Sequence, residues 1–213
     1  MTPEFANAVD PVFLYVLDLL DRIERGEPIA RDEERIHLKA LLDRVESAAG
    51  QGPDATLAKY ALVAWIDELL ILLAPWEHRE WWKNNSLEWE LFNTQLRAEE
   101  FFNKAREAAG LRQKNALEVF YLAVILGFRG LYGDEEKRPI LTVALELPET
   151  IEEWARRTAM TIQLGRGRPT ISAGAIAIEG APPLDGPFTL IWASLAGLVL
   201  VLVNIMVHLY FKA

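Results

Sequence analysis

The chain has 213 residues, of which 51% are hydrophobic, and 31 acidic against 22 basic side chains give a formal charge of −9. A chain this acidic argues against nucleic acid as its main partner. It has no cysteine, which excludes disulfides, thiolate metal sites and a cysteine nucleophile, and fits a reducing compartment.

Residues 1–164 read as an all-α domain. Asp10-Pro11 has the form of a helix start, a capping side chain followed by proline. Phe13, Val16, Leu17, Leu20 and Ile23 then recur at spacings of three and four, which predicts one apolar face, and Gly26 and Pro28 predict its end. A second helix is predicted from about Asp32 to Ala49, with Leu38, Leu41, Leu42 and Val45 on one stripe and Gly50 as its stop. A third opens near Pro53-Asp54 and runs through YALVAWIDELLILL, Tyr60 to Leu73, to Pro75.

Two adjacent acids, Asp67 and Glu68, sit inside that apolar run. At about 100° per residue from Leu57, Glu68 falls near 20°, in the middle of one apolar stripe, and Asp67 near −80°, at its flank. Apolar residues surround nearly the whole helix, which predicts the buried central helix of the domain. An ionised carboxylate there costs several kcal/mol unless it is paired and hydrogen-bonded. Three readings follow: an internal structural partner, one side of a docking cleft, or a catalytic pair. Neighbouring helical positions diverge too far for two carboxylates to converge on one bond, which weighs against catalysis. Of the two, Asp67 is expected to be the more accessible.

Residues 75–86 read as a loop rich in tryptophan, with Trp76, Trp81 and Trp82 as partner-binding candidates beside the two acids. Asn85 with Glu88, and Asn115 with Glu118, have capping-box spacing and predict two further helix starts. A helix with Phe101 and Phe102 stops at Gly110 between them, and the helix from Asn115 ends in GFRGLYG. The segment 138–147 has enough β-branched residues for a strand, although its neighbours are helical. Thr150 and Glu153 cap a last helix through about Gln163.

Residues 165–187 contain nine glycines and prolines and read as a linker. Phe188 to Phe211 then carries no charged residue over 24 positions, about 36 Å of helix, enough to cross a hydrocarbon core of about 30 Å. With Arg156, Arg157, Arg166 and Arg168 before it, this predicts a single-pass, tail-anchored protein with the helical domain in the cytoplasm and the C-terminus across the membrane. Ser194, Gly197 and Asn204 are candidates for association between transmembrane helices. His37, His78 and His208 show no metal-ligand spacing, and no phosphate-binding loop or nucleophile elbow is present. The expectation is no metal, no cofactor and no enzymatic activity.

Three blocks in order resemble the DotU/IcmH family, called TssL in type VI secretion. They are YALVAWIDELLI with the downstream Trp76, SLEWELFNTQLRAEEFF, and ALEVFYLAVILGFRGLY. The resemblance covers roughly residues 8–165, and the C-terminal anchor agrees with it. It marks Tyr60, Phe101, Phe102, Gly127, Phe128, Gly130 and Tyr132 as structural motif positions. It implies a cytoplasmic, hook-like domain of two small helical bundles on an inner-membrane anchor, without enzymatic activity. The implied partners are the IcmF/TssM protein, the TssK baseplate component and, indirectly, the TssJ lipoprotein, together with self-association. A stabilising component of a type IVB system is the alternative within the family, and a membrane-anchored hydrolase the alternative outside it. Two positions depart from the family pattern. Ala98 stands where a glycine is usual, and Leu131 where a basic residue is usual, with Arg129 nearby. The end of the chain soon after the anchor implies that the periplasmic peptidoglycan-binding domain of some relatives is missing.

Overall fold

The third helix is enclosed on every side. In the computed structural model, which describes residues 1–48 and 52–165, α3 (Pro53–Glu68) buries every residue from Leu57 to Glu68. Around it stand α1 (Pro3–Glu24), α2 (Arg31–Ala48), α5 (Leu87–Phe92), α6 (Arg97–Gly110) and α7 (Asn115–Ile125), with α9 (Ile151–Gly165) packed on α6 and α7 and the short α4 (Arg79–Asn84) and α8 (Arg138–Ala144) at the margins. No strand occurs among the described residues, all of which belong to one compact unit, Met1–Pro169. The linker, the predicted span 188–211 and its candidates Ser194, Gly197 and Asn204 lie outside the described residues.

Helix α1 starts earlier than Asp10-Pro11 predicts. Thr2 is the cap, accepting from the Phe5 N–H, and Pro3 opens the helix. Pro11 lies inside it. Thr2-Pro3 carries the same cap-then-proline signal eight residues upstream, and the buried series Phe5, Val9, Val12, Val16, Leu19 and Ile23 holds the longer helix together. Leu17, expected on that face, is 40% exposed. The stripe predicted for α2 is buried as expected: Leu38, Leu41, Leu42 and Val45.

Helix α3 does not continue regularly to Pro75. Leu69–Leu73 forms a π-helical turn, a wider winding that is often found at functional sites. The Trp76 indole donates to the Leu70 carbonyl at 2.8 Å, and the Arg79 guanidinium to the Ala74 carbonyl at 2.7 Å, so both satisfy carbonyls that the helix end leaves open. The segment read as a loop contains α4. Segment 138–147 contains α8 and no strand, with Thr142 Oγ1 donating to the Arg138 carbonyl.

The motif aromatics form the core on the far side of α3. Phe128 stacks on Phe101 at 3.8 Å between centroids, Phe120 and Phe102 meet Phe101 edge-on, and Trp154 is tilted against Phe101 and edge-on to Phe102. Gly130 has φ +53, and a Cβ there would stand 2.9 Å from the Ala98 carbonyl oxygen and 2.8 Å from Phe128. Only glycine fits. Leu131 is buried among these groups, so its position needs an apolar side chain. Among the described residues, α7 with the turn after it, Asn115–Gly133, is long and apolar enough to cross a membrane. Its packing on α3, α6 and α9 accounts for that apolar character.

Candidate functional site

Asp67 and Glu68 occupy the end of α3, and each reaches a different segment. Asp67 Oδ1 accepts from the Trp82 indole N–H at 2.9 Å and from the Leu87 N–H at 3.0 Å, while Oδ2 accepts from the Glu88 N–H at 2.8 Å. Leu87 and Glu88 are the first two residues of α5. The third N–H of that helix, from Trp89, goes to the hydroxyl of Ser86. The cap is therefore Ser86, one residue later than the Asn85–Glu88 spacing predicts, and Asp67 supplies the rest of it from 20 residues away. All three free donors of the first turn are bonded.

Glu68 serves the GFRGLYG turn in the same way. Its Oε1 accepts from Arg129 N–H at 2.5 Å and Gly130 N–H at 3.0 Å, and its Oε2 lies 3.0 Å from the Gly130 nitrogen. At the other end of α3, Asp54 accepts from the Ala116 N–H at 3.0 Å in the first turn of α7. Here too the predicted capping box, Asn115 with Glu118, is absent. Asn115 is already helical, and its side chain accepts from the Thr2 N–H.

Asp67 is 0% exposed and Glu68 3%. The expectation that Asp67 is the more accessible of the two is corrected: both carboxylates are buried, and N–H donors from other segments engage each of them. Burial pushes both carboxyls above their ordinary ranges, the N–H donors pull them back, and the charge of Arg97 acts in the same direction as the donors. A third acid joins them. Glu88 is fully buried, accepting from Tyr60 Oη at 2.9 Å and Thr94 Oγ1 at 3.1 Å, with the Arg97 guanidinium 4.0 Å from its other oxygen. Burial also raises the Tyr60 phenol. Tyr132 Oη donates to the Pro148 carbonyl at 2.7 Å, and burial pushes its phenol up to about 12.

The tryptophans divide. Trp82 is buried on Asp67, Trp76 and Trp81 are half-buried, and Trp89, outside the predicted loop, is 51% exposed. The order of exposure was not readable in the sequence, because it depends on which ring the buried carboxylate of α3 captures. Arg31 lies 4.4 Å from the Trp81 ring centroid, and Arg35 lies 5.2 Å from that of Trp82. Segment 75–92 is thus an outer layer tied to α3 by Asp67 and to α2 by cation–π contacts.

A family model described as "Type VI secretion system protein DotU" matches residues 4–212. The chain belongs to the DotU family. Among solved structures, the cytoplasmic domain of TssL from Acinetobacter baumannii is similar in fold, with a TM-score of 0.58 and 24% identity over 76% of this chain and 98% of that one. No curated protein matches. The positions that the resemblance marks lie in the core or in the turn after α7. Tyr60, Phe101, Phe102, Phe128 and Tyr132 are buried, and Gly127 and Gly130 take positive φ, at +111 and +53. Among the described residues no group of His, Asp or Glu could hold a metal ion.

Proposed function

We propose that this DotU-family chain is a non-enzymatic structural component of a type VI secretion membrane complex. In this reading it is anchored in the inner membrane by residues 188–211, with the helical domain in the cytoplasm and the C-terminus in the periplasm. It binds an IcmF/TssM-like protein, associates with further copies of itself, reaches a TssJ-like lipoprotein only indirectly, and docks a TssK-like baseplate component. The observation that carries this is the family match over nearly the whole chain, supported by the likeness to a TssL cytoplasmic domain. The docking face is segment 75–92, with Trp76, Trp81 and Trp89 as anchors, since large aromatic side chains with exposed area are favoured at interfaces.

Co-purification tests it. Full-length chain carrying Trp81→Ala and Trp89→Ala is compared with the parent for capture of the TssM-like and TssK-like proteins encoded beside it. Both variants are expected to keep the helical circular dichroism of the parent and to lose TssK-like capture. Unchanged capture by both overturns the docking face, and the absence of either partner from the parent overturns its place in the complex.

A further inference from the structure

A pocket of about 220 Å³ opens where α1 ends beside the start of the tryptophan segment, lined among others by Ile23, Glu27, Ile29, Trp76, Glu77 and His78. It is smaller than the roughly 300–1,000 Å³ of small-molecule sites and has the size for a single side chain. Its walls are apolar at Ile23, Ile29 and Trp76, and acidic at the rim. The Glu27 and Glu77 side chains are 41% and 82% exposed. The carbonyl end of a 22-residue helix, α1, adds negative potential there.

The basic side chains nearby are already placed. Arg79 is bonded to the Ala74 carbonyl, His78 Nε2 lies 3.2 Å from the Ile29 carbonyl and 3.4 Å from Glu77, and Arg25 pairs with Asp21 at 2.9 Å and Glu27 at 3.2 Å on the exposed surface. The same segment shows what its tryptophans take. Trp81 and Trp82 each carry a guanidinium from α2 over the ring, whereas Trp76, edged by His78 and tilted against Trp82, carries none among the described residues.

From this geometry we infer that the pocket receives an arginine side chain of a partner protein, its guanidinium against Trp76 and its charge against Glu27 and Glu77. The planar guanidinium suits an aromatic wall with two rim carboxylates better than the strongly hydrated ammonium of lysine. This rests on the docking reading above and names the chemistry of one contact in it.

The test uses full-length chain in neutral detergent, labelled at the tryptophan indoles for NMR, titrated with capped arginine, capped lysine and capped citrulline. Capped arginine is expected to shift the Trp76 indole resonance saturably in the millimolar range. Citrulline, which has the shape without the charge, and the E27Q/E77Q variant should each bind at least tenfold more weakly. Lysine should be intermediate. No saturable shift with arginine, or equal shifts with citrulline, overturns the inference. Capture of a baseplate partner alongside absent arginine binding removes the pocket and leaves the docking face, whereas arginine binding without capture removes the docking face instead. Glu27 and Glu77 are exposed, so the double variant folds, and melting by circular dichroism checks that it does.

Discussion

Removing the Asp67 carboxylate should open one part of the domain at a predictable cost. Asp67→Ala strands three donors, Trp82 Nε1, Leu87 N and Glu88 N, in a site without solvent exposure. A buried donor left unpaired costs about 1–3 kcal/mol. Part of that sum is offset because an anion no longer has to be buried. The expected loss is about 3–5 kcal/mol against a total of about 5–15 kcal/mol for a domain of this kind. Asp67→Asn keeps an oxygen for Trp82 and Leu87 but turns an amide donor toward the Glu88 N–H, so it should lose about 2–3 kcal/mol. Urea unfolding followed by tryptophan fluorescence measures both. Hydrogen exchange locates the effect: the amides of Leu87 and Glu88 should lose protection, while α1 and α2 keep theirs. Stability within about 1 kcal/mol of the parent for both variants, or exchange rising evenly over the domain, would refute the argument that Asp67 holds α5 on the core.

Three further outcomes are expected. Gly130→Ala adds a Cβ against the Ala98 carbonyl at a left-handed backbone position, and should cost about 2 kcal/mol or more, visible as a lowered melting temperature. Asp54→Ala removes the long-range cap on Ala116 and should cost about 1 kcal/mol, with faster exchange confined to the first turn of α7. Glu34 is buried, which alone raises its carboxyl, but the Arg22 guanidinium and the Tyr15 hydroxyl outweigh that and hold it below the glutamate range. A depressed carboxyl stabilises above its unfolded value of about 4.3 and loses that contribution as pH falls through the folded value. The margin of the parent over Glu34→Gln in urea unfolding should therefore shrink from pH 6 to pH 3. A constant margin would mean that the ion pair contributes nothing.

Most helices were legible because their apolar stripes are long and their stops are glycine or proline. The stripe of α2 and the all-round burial of α3 follow from residue spacing alone. Starts were less legible, for a physical reason. Asn85 with Glu88 and Asn115 with Glu118 have the right spacing, but α5 is capped by Ser86 together with Asp67, and α7 receives Asp54. A cap delivered across the fold leaves no local pattern to read. The same holds for the candidate site. The helical arithmetic separates Asp67 from Glu68 but cannot say what lies opposite each direction, so the flanking position of Asp67 suggested access where α4 and α5 in fact cover it. Trp89 shows the reverse, a tryptophan in a capping turn that remains exposed because Ser86 needs only its backbone.

The adjacency of the two acids has its own logic. Positions one apart on a helix diverge by about 100°, a poor arrangement for attacking one bond and a suitable one for holding two separate segments at the same level of α3. Asp67 takes α5 on one side, and Glu68 takes the Arg129–Gly130 turn on the other. Spacing of three or four would place both carboxylates on one face and leave one segment without its acceptor. The burial cost of two carboxylates is met by five N–H donors, four of them backbone groups that would otherwise be stranded at a helix start or in a turn. An apolar pair at 67 and 68 would relieve the charge and strand those donors, so the segments that the acids hold account for their presence in the core. The outward surface of segment 75–92 is then positioned from inside, by a fully buried residue.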